Sequence, residues 1–183
     1  EEAENYPEAE SVLKEGLKID SDNPKLHFRL GVVYDKLDRK EDCIEQMKIA
    51  IELEPENATA LNYLGYTWAD MNRNLEEAEE LIRKAIELKP DDGYITDSLG
   101  WVLYRQGRYE EAVIALEKAV ELVSDDPIIL EHMGDAYVKV NQKYKALEFY
   151  EKALEVKEEK DKADLEKKIR ELQDEIILKE KQA

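Results

Sequence analysis

Four glycines recur along the chain at a nearly constant interval. Gly31, Gly65, Gly100 and Gly134 stand 34, 35 and 34 residues apart. Two series of small residues keep the same step. Ala50, Ala85, Ala119 and Ala153 are spaced 35, 34 and 34, and Gly16 lies 34 before Ala50. Ala9, Cys43, Ala78, Ala112 and Ala146 are spaced 34, 35, 34 and 34, while Pro55 and Pro90 repeat at 35. A period of this length means tandem units, none of which can bury its apolar face alone. Stacking on a neighbour does that, so the chain is an array rather than a fold around one closed core.

The one extra residue can be placed. From glycine to the next small residue there are 12 steps in three copies (31 to 43, 100 to 112, 134 to 146) and 13 in the fourth, 65 to 78. The insertion therefore belongs around Met71–Leu75, in a turn, where no packed register is broken. Each copy reads as two helices. His27, Leu61, Thr96 and Leu130 stand three before Leu30, Leu64, Leu99 and Met133, and Tyr34, Trp68, Leu103 and Tyr137 follow the glycines by three. These offsets share one helical stripe. A glycine in that stripe lets a second helix approach closely. The second helix carries a small residue, then Met47, Ile82, Leu116 or Tyr150 four residues on, then alanine three further. Pro55-Glu56-Asn57, Pro90-Asp91-Asp92 and Ser124-Asp125-Asp126-Pro127 end the units. Asn57, Asp92 and Asp126 suit helix N-caps, and Pro127 suits a first helical position.

These residues resemble the tetratricopeptide repeat (TPR) family, whose W-x-x-L-G-x-x-Y, A-x-x-x-F, A and P offsets they follow over about residues 6–160. The departures are few. His27, Leu61, Thr96 and Leu130 replace the large aromatic, Ser124 and Glu158 replace the proline, and Cys43 replaces an alanine. The resemblance implies an all-α, right-handed solenoid of antiparallel helix pairs with a C-terminal capping helix. Its expected segments are 1–23 (second helix of a truncated repeat), repeats 24–57, 58–92 (with the insertion), 93–126 and 127–160, and a solvating helix over 161–183. Asp161 is expected to cap that last helix. Glu1 in place of Met is what a piece of a longer protein would show.

Composition removes several functions. With 45 Asp plus Glu against 27 Lys plus Arg the net charge is −18, which disfavours nucleic acid. No apolar run approaches the roughly 18 residues of a membrane span, so direct insertion is not expected. Cys43 alone forms no internal disulfide, and the compartment stays open. Some bacterial relatives are exported or lipid-anchored, so both the cytoplasm and the periplasm fit.

Chemistry is sparse. His27 lies on the packing stripe and reads as a structural filler. His132 shares a helix with Glu131 and Asp135, but two ligands on one helix do not hold a metal. Cys43 occupies a small buried slot. There is no phosphate loop, no H-E-x-x-H and no nucleophile with its base. No catalytic residue, cofactor or metal is expected, and the chain is not expected to be an enzyme.

Binding is expected on the inner face of the first helices. That face carries Phe28, Val32, Asn62, Tyr66, Asp97, Trp101, Tyr104, Arg105, Glu131 and Asp135, with Tyr94 at its lip. Trp, Tyr and Arg dominate binding hot spots. Family members with a carboxylate clamp set basic residues where this chain has Phe28, Val32, Tyr63, Tyr94 and Ser98, so a clamp is not expected. Asp97, Glu131 and Asp135 favour instead a partner peptide or helix that is apolar with basic residues. An alternative is self-assembly into a homo-oligomer through Val12, Leu13 and Leu17 at one end and Leu165, Ile169, Leu172 and Ile176 at the other.

Overall fold

The computed structural model describes residues 5–181; residues 1–4 and 182–183, the outer ends of the first and last expected segments, lie outside the described residues. Those described form ten α-helices, one 3-10 turn and no strand. They divide into two compact units, one closing at Pro90 and the other opening at Asp91.

Unit 1 holds α1 (Tyr6–Ile19), α2 (Pro24–Lys36), α3 (Lys40–Leu53), α4 (Ala58–Asp70) and α5 (Leu75–Leu88). Asn23 and Asn57 cap α2 and α4 by accepting backbone N–H groups, and Pro24 opens α2 where its missing N–H costs nothing. The repeated glycines mark close approach. A Cβ on Gly31 would stand 2.8 Å from Met47 Cε, and one on Gly65 2.7 Å from Ile82 Cγ1. Around these contacts Leu30, Tyr34, Cys43, Met47, Leu61, Leu64, Trp68 and Ile82 are buried. The turn between α4 and α5 spans residues 71–74, four residues where the α2–α3 turn has three, 37–39. The extra residue thus sits in the turn that the spacing indicated. Asp38 and Asn72 occupy the left-handed region at φ 57° and 54°, and Asn74 at 48°.

Unit 2 holds α6 (Gly93–Arg105), α7 (Tyr109–Leu122), α8 (Pro127–Lys139), α9 (Lys143–Val156) and α10 (Ala163–Glu180). Asp92 and Asp126 cap α6 and α8 through two N–H groups each. Leu116 fills the space a Cβ on Gly100 would take, and the ring of Tyr150 does so at Gly134. Gly107 and Asn141 take the left-handed position in its turns, at φ 79° and 59°. Leu165, Ile169 and Leu172 of α10 are buried among Leu130, Met133, Tyr137 and Tyr150. The self-association expected of that stripe is therefore corrected: these three side chains complete the unit's own core, and Ile176 packs partly against it. Asp161 does not cap α10 either. It closes the 3-10 turn Glu159–Asp161, and Lys162 takes the cap position with no side-chain bond.

Candidate interaction surfaces

In unit 1, α2 presents Phe28 and Val32 toward α1. They line a cleft of about 640 Å³ together with Ala9, Val12 and Leu13. Two expected sites, the start of the binding face and the N-terminal association patch, thus share one concavity. Val12 is 65% exposed there, while Leu13 and Leu17 are half-buried. The Phe28 ring meets Tyr63 edge-on at 5.9 Å. Tyr63 donates its hydroxyl to Asp35 at 2.8 Å, and Lys40 donates to the other Asp35 oxygen at 2.6 Å. Burial and the Asp35 carboxylate push the Tyr63 hydroxyl far up from its ordinary pKa. Tyr66 is half-buried, and the Oδ1 of Asn62 is buried with no hydrogen-bond partner. His27 is buried and bonds Gln46 Oε1 and the Ser21 carbonyl oxygen, both at 2.8 Å, which is the structural part its place on the stripe implied.

In unit 2 the first-helix face is built as a column of rings. Trp101 stacks on His132 at 4.2 Å and on Tyr104 at 5.1 Å, and Tyr104 meets Tyr109 at 5.4 Å. Arg105 lies 5.4 Å over Trp101, and Lys139 lies 6.0 and 5.8 Å over Tyr104 and Tyr109. Tyr94 is 57% exposed. Trp101 and Tyr104 are half-buried, and the Nε1–H of Trp101 has no acceptor.

Asp97 is not on the open face. It is buried beneath it, where both oxygens meet His132 Nδ1 at 3.0 and 3.1 Å. His132 therefore answers to α6, not to Glu131 and Asp135 on its own helix. Burial lowers the imidazole pKa, but the charge and hydrogen bond of Asp97, with Asp135 and Glu131 beyond, outweigh it and raise the value above 6.5. Glu131 accepts from Lys157 at 2.6 Å and from Lys168 at 2.9 Å. Asp135 accepts from Lys168 at 2.8 Å and from the Tyr150 hydroxyl at 2.5 Å. Burial pushes Glu131 up, yet the two lysines hold its carboxyl below the usual range. The three acids expected to greet a basic partner are thus occupied within the unit.

Lys157, Lys168 and the Asp97–His132 pair escaped the sequence reading. The signal for the last was the period itself, since Asp97 and His132 stand 35 residues apart on successive first helices. Cys43 is fully buried, and burial pushes its thiol up to about 11. Among the described residues no three metal-ligating side chains gather, and no helix is long and apolar enough to cross a membrane.

Comparison with known proteins gives one consistent answer. Tetratricopeptide repeat models match residues 63–166 and 24–57. The TPR repeat-containing protein PA4667 of Pseudomonas aeruginosa is 41% identical over 101 residues, 55% of this chain; the chain spans 17% of that relative's length. The structure of pilF from Pseudomonas aeruginosa superposes with a TM-score of 0.72 at 23% identity, covering 85% of this chain and 70% of that one. A crystal structure of MamA gives 0.69 at 26%, covering 86% and 92%. At the identity of pilF the likeness speaks for the fold alone.

Proposed function

Since the chain belongs to the tetratricopeptide repeat family, we propose that it is a non-catalytic protein-interaction scaffold. Its first-helix face receives a peptide or a helix of a partner protein. The supporting observation is the ring cluster of unit 2. Tyr94, Trp101 and Tyr104 gather on one helix while the opposite stripe of that helix forms the core. Rigid rings on packed helices need little ordering on binding, so contact area converts efficiently into affinity. Hot-spot truncation then costs more than about 2 kcal/mol of binding.

The test is a pull-down from a bacterial extract with three forms of the chain: native, Tyr94→Ala, and Trp101→Ala with Tyr66→Ala. Tyr94 is exposed enough for its loss to spare the fold. A protein held by the native chain and lost with Tyr94→Ala supports the face. A protein retained equally by all three forms sinks it.

A second reading is self-association through the α1–α2 cleft, favoured by the exposed Val12 beside Phe28 and Val32. It requires a mass that grows with concentration and that Val12→Glu returns to the monomer. A constant monomer mass for the native chain would remove it.

A further inference from the structure

The chain carries −18 overall, yet the three carboxylates expected on the first-helix face of unit 2 are not free. Its carboxylates are already engaged: Asp97 with His132, Glu131 with Lys157 and Lys168, Asp135 with Lys168. Arg105 and Lys139 are different. Each sits in the last turn of its helix, and each lies over aromatic rings with no carboxylate partner among the described residues. Asp97, Glu131 and Asp135 thus each have a cationic or imidazole partner, while Arg105 and Lys139 bring their charge to the rings alone. What these two cations lack, among the described residues, is an anionic acceptor.

Helix C-termini account for part of this, because a cation there complements the helix dipole. They do not account for the rings. A guanidinium held over an indole keeps its forked N–H donors presented toward a bidentate acceptor.

We infer that the segment seated on unit 2 is acidic: a peptide that lays an apolar or aromatic side chain against Tyr94 and Tyr104 and brings Asp or Glu to Arg105 and Lys139. This deepens the scaffold reading above and rests on it. It reverses the expectation of a basic partner, because the acids that motivated that expectation are internally neutralised. A basic segment would meet Arg105 and Lys139 with like charge and find no free carboxylate at Asp97, Glu131 or Asp135.

Three fluorescein-labelled dodecapeptides test this against the full chain by fluorescence polarisation. All carry Leu and Phe anchors in a Gly-Ser frame; the flanks are Glu in one, Ser in the second and Lys in the third. The Glu peptide is expected to bind roughly tenfold tighter than the Ser peptide, the difference one charge-assisted contact makes. Arg105→Gln with Lys139→Gln should erase that preference, with only a small fall in the urea midpoint from the lost dipole and ring contacts. Arg105→Lys, which keeps the charge and loses the fork, should restore part of it. If the Lys peptide binds as tightly as the Glu peptide, or the double variant leaves the Glu preference intact, the acidic assignment is overturned and the binding face stands. If none of the three binds, the face itself is overturned along with it.

Discussion

Asp35 in unit 1 and Asp97 in unit 2 lie on first helices, and their surroundings differ. The Asp35 side chain keeps about a fifth of its surface in water, and its lysine partner about a third. The Asp97 and His132 side chains keep less than a tenth each. Unit 1 thus places its charge at the edge of the stack and relies on matched small and large residues inside. Unit 2 puts an acid–imidazole pair under a column of rings and ties its neighbours Glu131 and Asp135 to Lys157 and Lys168. A partly solvated pair can turn to water when it is broken; a fully buried one leaves an uncompensated charge.

The largest consequence is for single substitutions. Asp97→Ala is expected to destabilise unit 2 by about 3–5 kcal/mol, because His132 stays buried beside Glu131 and Asp135 without its partner. Asp35→Ala should cost less, about 1–3 kcal/mol, chiefly because the Tyr63 hydroxyl loses its acceptor. The two tryptophans allow separate readings, since Trp68 belongs to unit 1 and Trp101 to unit 2. Urea titrations in a Trp68→Phe background report the second, and in a Trp101→Phe background the first. Equal losses would abolish the contrast.

A smaller difference should appear at the glycines. Gly31 faces the flexible end of Met47, whereas Gly134 faces the Tyr150 ring. Alanine at position 31 gains helix propensity of up to roughly 1 kcal/mol and displaces only a methyl group, so the midpoint should barely move. At position 134 the ring must shift, at a net cost of about 1–2 kcal/mol. Similar midpoints for Gly31→Ala and Gly134→Ala would show that both cores yield alike.

pH should separate the units more gently. The His132 pKa is raised in the folded state. Its contribution is full below the unfolded value near 6.5 and declines as pH rises through the higher folded value. Unit 2 should therefore lose stability on that alkaline side, and His132→Gln should remove the dependence. A flat profile for the native unit would contradict this. The least effect belongs to Cys43: with its thiol pushed up to about 11 and fully buried, the folded chain should resist a disulfide reagent at pH 8 that labels the urea-unfolded chain at once. Rapid labelling of the folded form would mean that unit 1 opens there.

The periodic residues carried most of the fold into view. Glycine against Met47 or Ile82, the caps at Asn57, Asp92 and Asp126, and the lengthened turn at 71–74 all follow from local pattern and a repeated distance. The face expected to meet a partner was less legible. Spacing assigns a residue to a helical stripe but does not say what the next helix brings against it. Asp97 looked open because its partner is on α8, and Glu131 and Asp135 looked free because Lys168 lies 37 and 33 residues further on. Leu165, Ile169 and Leu172 looked spare for the same reason. Cross-helix meetings depend on rotations and side-chain reach that a one-dimensional period does not contain.

Asp38, Asn72, Gly107 and Asn141 hold the left-handed position between the two helices of each pair, 34, 35 and 34 residues apart. Nature has therefore run the same trial four times in one polypeptide, filling an identical backbone slot with aspartate, asparagine twice, and glycine. Because the slot asks only for a tolerated dihedral, the four answers are exchangeable in principle, and distant sites add independently. An engineer can adjust the heat tolerance of each pair at its bend while leaving the packed glycine contacts of the helices untouched.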